Sequence, residues 1–131
     1  MTGLTVVNPE SLARPRGYSN GVKGTGEVLF VAGQIGWNRE GRMVSADLVD
    51  QFAQALDNVL DVVWAAGGGP ASVARLTLYV TDKQDYRLRA TAIGVAYRRR
   101  MGKHYPAMSL LEVKSLLEDD AKIEIEATAV L

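Results

Sequence analysis

Cysteine is absent from this 131-residue chain and histidine occurs once. Without a thiol there is no disulfide, no thiolate nucleophile and no cysteine-held metal. One imidazole among scattered carboxylates makes no metal-ligand spacing either, and no cofactor of any kind is expected. Charge of one sign is also lacking, because fifteen Lys and Arg offset fifteen Asp and Glu. No global field therefore draws the chain to nucleic acid or to an anionic membrane. Aromatics are few, with two Trp, five Tyr and two Phe, and no RNA-binding signature is present. Long apolar runs are missing as well. The longest uncharged stretch, from Val62 to Ala74, contains Gly67-Gly68-Gly69-Pro70 and is too short to span a bilayer. The segment from Met1 to Glu10 has neither the basic start nor the apolar centre of a secretory leader. A soluble, cytoplasmic protein that does not engage membranes is the expectation.

What is present fits one globular domain over residues 1–131, since 47% of the residues are hydrophobic and 23% charged. Thr5-Val6-Val7 reads as an edge strand. Tyr18 to Lys23 and Glu27 to Gln34 read as a hairpin around Gly24-Thr25-Gly26. From Asp47 to Ala66 apolar residues recur at helical spacing, with Asp47 as the cap and Gly67 as the stop. The three glycines follow this helix, whereas a phosphate loop places glycines before a helix and adds a lysine and a hydroxyl. Val73 to Thr81 reads as a strand, and a second helix runs from Asp82 to about Met101 with Tyr86, Ala90, Ile93 and Tyr97 facing inward. His104 to Val113 and Lys122 to Ala127 then read as a closing hairpin turned at Glu118-Asp119-Asp120. Alternation in its second strand puts Ile123, Ile125 and Ala127 on one face, and Lys122, Glu124 and Glu126 on the other.

This order predicts an α+β fold, a two-layer sandwich with a mixed sheet and two helices on one face. Apolar residues lie on both sides of the strand holding Met108 and Leu110, yet only two helices are available to cover them. Self-association through the uncovered face follows.

Several segments carry a resemblance. Gly17-Tyr18-Ser19, Leu29-Phe30-Val31-Ala32-Gly33-Gln34, the helix ending in Ala65-Ala66-Gly67, Pro106-Ala107-Met108-Ser109 and Ile123-Glu124-Ile125-Glu126-Ala127 together resemble the RidA/YjgF family of small trimeric enamine and imine deaminases. They span nearly the whole chain. The resemblance implies the chorismate mutase-like RidA fold and a homotrimer with a small-molecule cleft at each subunit interface. It also implies that Glu124 handles a proton or a water. Tyr18, Ala32, Gly33 and Met108 fall at the family's substrate-binding positions.

Two of these positions depart from the family. Met108 stands where deaminating members carry an arginine that grips a carboxylate, and Ala32 stands where they carry serine. A thioether offers no donor in place of a guanidinium fork. Loss of such a buried contact costs roughly 2 to 5 kcal/mol, so ordinary 2-imino-acid deamination is not expected and less anionic substrates are favoured. Arg98, Arg99, Arg100 or His104 could supply a replacement cation, although arginines at a helix end commonly just complement its carbonyls and a lone histidine is more often a surface residue than a base; His104, one residue before Tyr105-Pro106, falls near the cleft mouth. Three readings follow: a diverged enzyme acting on a reactive enamine, imine or related hydrolysable metabolite; a non-catalytic trimer that binds a metabolite or a protein; and RNA cleavage or binding, for which only the cluster from Arg98 to Lys103 speaks.

Overall fold

The structure is a computed structural model that describes residues 3–131. Met1 and Thr2, the start of the segment read for a leader, lie outside the described residues. The elements in chain order are β1 (Thr5–Val7), β2 (Gly21–Lys23), β3 (Val28–Gln34), α1 (Leu48–Ala65), β4 (Val73–Val80), α2 (Lys83–Leu88), α3 (Ala90–Met101), β5 (Ala107–Glu112) and β6 (Ile123–Val130).

β3, β6, β4 and β5 form a mixed sheet in that order, with β4 and β5 parallel and the other neighbours antiparallel. The helices lie on one face, so the α+β sandwich read from the sequence is present. α1 begins where the Asp47 carboxylate accepts from the Asp50 amide at 3.0 Å. It ends at Gly67, whose φ of +96° is disfavoured for other residues. Its apolar stripe, including Phe52, Leu56, Val59 and Val63, packs on Leu76, Leu78, Ile123 and Ile125 from the sheet. Each such side chain contributes about 1.5 to 3 kcal/mol when fully buried.

Three connections differ from the sequence reading. β2 does not turn back onto β3; it pairs with β1 in a separate two-stranded sheet. β5 and β6 do not form a hairpin, because β4 lies between them. The second helix is broken at Arg89 into α2 and α3. For the strands, local alternation was read correctly, but the choice of partner rests on contacts distant in sequence; in the broken helix Ile93 and Tyr97 face inward as read, whereas Ala90, at the start of α3, is exposed. β5 follows β4 through two helices, and such a crossover returns the chain parallel to the strand it left.

The fixed point linking α1 to the far end of the sheet is Gln51, which is fully buried. Its side-chain amide donates to the Ser45 carbonyl at 2.9 Å and the Asp120 carbonyl at 3.0 Å, and its oxygen accepts from the Lys122 amide at 2.8 Å. It thereby sets the entry into β6. Asn58, two turns on, donates to the carbonyls of Ile35 and Trp37 at 3.1 and 3.0 Å and so holds the chain leaving β3.

Candidate functional site

The alternation of β6 decides where its glutamates go. Ile123, Ile125 and Ala127 are buried under the helices, so Glu124 and Glu126 stand on the opposite, helix-free face, each half-buried. Their surroundings differ. The Tyr79 hydroxyl donates to Glu126 Oε1 at 2.7 Å, and that bond, followed by burial and the neighbouring carboxylates, raises the Tyr79 pKa. The Glu124 carboxylate has no hydrogen bond or ion pair among the described residues. It lies instead against Gly33.

A bulge between Val31 and Gln34 interrupts the β3–β6 register and carries Ala32 and Gly33. A β-carbon at position 33 would stand 2.7 Å from Glu124 Cδ, so only glycine leaves the carboxylate its place. Glu124, Gly33 and the adjoining Ala32 therefore come together as one ledge.

Met108 is elsewhere. It pairs in register with Leu76, which faces the helices. Two strand spacings across the sheet, about 10 Å, and the sheet itself separate it from Glu124. Within one chain, Met108 and Ala32 do not border a common pocket. Met108 instead forms a wall shared by two spaces. One is a cavity of about 260 Å³ between the helices and the sheet, walled by Phe52, Leu56, Leu76, Ile93, Tyr97 and Tyr105, with the exposed Arg98 on its lining. The other is an open groove of about 800 Å³ along the β5 edge, where Tyr18, Arg16, Lys83, Arg87 and Glu112 surround Met108 and Leu110. Three cations against one carboxylate give this groove a positive balance. That feature escaped the sequence reading because Arg16, Lys83 and Arg87 are dispersed along the chain.

Tyr18 reaches the groove because the next residue is clipped to β5. The Ser19 amide donates to the Pro106 carbonyl at 3.0 Å, and its hydroxyl donates to the Tyr105 carbonyl. His104 has a structural task. Its Nε2 lies 2.7 Å from the Val73 carbonyl, and its own carbonyl accepts from the Tyr97 hydroxyl at 2.7 Å. The Tyr97 and Tyr105 rings stack at 5.3 Å between centroids. Burial is the main cause that pushes the Tyr97 phenol well above its ordinary value, and burial also raises Tyr86.

The arginine cluster divides. Arg100 is engaged with Asp57 at 2.7 and 3.2 Å and with the Ala96 carbonyl at 3.0 Å. The Arg98 side chain has no hydrogen bond or ion pair among the described residues. No helix is long and apolar enough to cross a membrane among the described residues.

The chain as a whole is similar to known proteins. The family model described as endoribonuclease L-PSP matches residues 9–131. The 2-iminobutanoate/2-iminopropanoate deaminase of Escherichia coli K12 is 36% identical over 116 residues, which cover 86% of each chain. A crystal structure of the Rid family protein YyfB from Yersinia pestis superposes with a TM-score of 0.88 at 36% identity, covering 98% of this chain and 99% of that one. A structure of E. coli TdcF with bound serine aligns with a TM-score of 0.71 at 30% identity, covering 95% of this chain and 93% of that one. With a family model matched over residues 9–131 and a relative 36% identical over 86% of its length, the chain belongs to the RidA/YjgF family, the family of the endoribonuclease L-PSP description.

Proposed function

We propose that this protein is a homotrimeric hydrolase of reactive enamines or imines, with each cleft formed where the Met108 groove of one copy meets the Glu124 ledge of the next. The observation that carries the proposal is the half-buried Glu124 carboxylate, held against Gly33 without a partner among the described residues, in contrast to Glu126, which is occupied by Tyr79. The activity named for the E. coli relative supports the same class of reaction.

In the proposed reaction an enamine first tautomerises to the imine. Water then adds through oxygen to the imine carbon while Glu124 accepts a proton from it and passes a proton to nitrogen. Collapse of the carbinolamine breaks the C–N bond, forms the carbonyl and releases ammonia. Met108 has no donor for a carboxylate, so the smallest carboxylated imines are turned over more slowly here than by relatives with arginine at this position.

The test is ammonia release from freshly generated enamines and imines, neutral and carboxylated. Replacing Glu124 by Gln should lower kcat by about 10²- to 10⁴-fold, and unchanged rates in that variant would refute the role. Met108→Arg should raise turnover of 2-iminopropanoate. The missing donor at Met108 also favours a second reading, a trimer that binds a metabolite without consuming it. Stabilisation by a compound recovered intact after incubation, with no turnover of any imine, would support that reading instead.

A further inference from the structure

We propose that Tyr79 is a positioning residue for the Glu124 site: it holds the Glu126 carboxylate to the β4 side of the helix-free face and so keeps a second negative charge off the one carboxylate free to react. The inference rests on the reading of Glu124 given above and adds a residue to that site.

Register is the first argument. Tyr79 on β4 lies directly opposite Glu124 on β6, and Thr77 lies opposite Glu126. The Tyr79 hydroxyl nevertheless donates along the diagonal, to Glu126 Oε1 at 2.7 Å, and no other side chain among the described residues bonds that carboxylate. Glu124 leans the other way, onto Gly33 at the β3 bulge. The two acids are thus splayed toward opposite neighbouring strands.

Charge is the second argument. Residues two apart on a strand stand about 7 Å from each other, inside the Debye length of about 8 Å at physiological ionic strength. Two half-buried carboxylates at that spacing each disfavour the other's charged form. A hydrogen bond to the ionised form offsets this at Glu126, and the splaying lengthens the separation from Glu124. The phenol feels both acids. Its bond to Glu126 is the leading cause of its raised pKa, followed by burial and the charges of Glu126 and Glu124.

No other group on this face takes over the task. Arg75, the remaining charged residue that β4 presents there, is exposed and lies opposite Thr128, well along the strand from Tyr79. Lys122, just before β6, lines a separate opening with Asp82 and Asp85. β3 holds no titratable residue, and the one acid of β5, Glu112, lies opposite the inward Val80.

The test is carbon-13 NMR titration of the glutamate side-chain carboxyls, assigned through Glu124→Gln and Glu126→Gln, beside the pH profile of kcat/KM for imine hydrolysis. Tyr79→Phe keeps the ring and releases Glu126, so the Glu124 signal and the acid limb of the profile should both move upward by about half a pH unit or more. Glu126→Gln removes the charge and should move both the other way. In Glu126→Gln, adding Tyr79→Phe should move them by less than about 0.2 of a pH unit, because the charge it would release is gone. A purely structural tyrosine would act alike in both backgrounds. A Glu124 signal unmoved in Tyr79→Phe, or moved equally with and without the Glu126 charge, would overturn the assignment. The coupled shift in a chain whose imine turnover survives Glu124→Gln would defeat the proposed reaction and leave the Tyr79–Glu126 arrangement standing, whereas Glu124-dependent turnover with no coupled shift would do the reverse.

Discussion

Glu124 and Glu126 share one strand face and one residue type, and they differ in what their carboxylates touch. Replacing Glu126 by Gln keeps an acceptor for the Tyr79 hydroxyl, so its kcat should stay within a few-fold of the unaltered chain. The matching change at Glu124 should remove most activity, and steady-state assays on the pair separate the two roles. Tyr97 allows a prediction at alkaline pH. Burial raises its folded pKa above the ordinary 10.0, so the unfolded chain loses this proton first as pH increases. The stabilisation is fully present below the unfolded value and is lost as pH climbs toward the folded one. Urea midpoints should therefore fall above about pH 10. In Tyr97→Phe that fall should be shallower, at a cost of about 1 kcal/mol at neutral pH for the lost bond to His104.

At the scale of elements, the legible features were those written in local pattern. The α1 stripe, its Asp47 cap and the inward Ile123 and Ile125 of β6 all follow from periodicity that the structure reproduces. The pairing of β2 with β1 and of β5 with β4 does not follow from it, because alternation states which way side chains face and not which strand lies alongside. The site suffered the same limit. Glu124 was legible on its face, but the separation of Met108 from Ala32 depends on strand order. Gln51 gave no local signal, because its three hydrogen bonds reach residues 6, 69 and 71 positions away. Tight packing between elements gives a further prediction. A β-carbon on Gly36 would lie 2.6 Å from the Gln51 Cα in α1. Gly36→Ala should then destabilise by about 1 to 3 kcal/mol, measurable as a lower denaturation midpoint, because a helix backbone cannot yield as a flexible side chain can.

For the whole molecule, the helix-free sheet face exposes Phe30 at 79% together with Val28 and Leu111. A soluble chain seldom leaves such a patch to water. Sedimentation should give three times the chain mass of 14.2 kDa, and Phe30→Asp should shift the population toward single chains and reduce Glu124-dependent turnover with it.

In the proposed trimer, the placement of Met108 and Glu124 on opposite sides of one sheet makes each chain half a partner to two neighbours. Two crippled proteins should consequently rescue one another. If a chain lacking the Glu124 carboxylate is mixed, unfolded and refolded with a chain whose Met108 groove is blocked, random assembly should rebuild about a quarter of the junctions with both halves intact. Activity absent from either parent would then return in the hybrid.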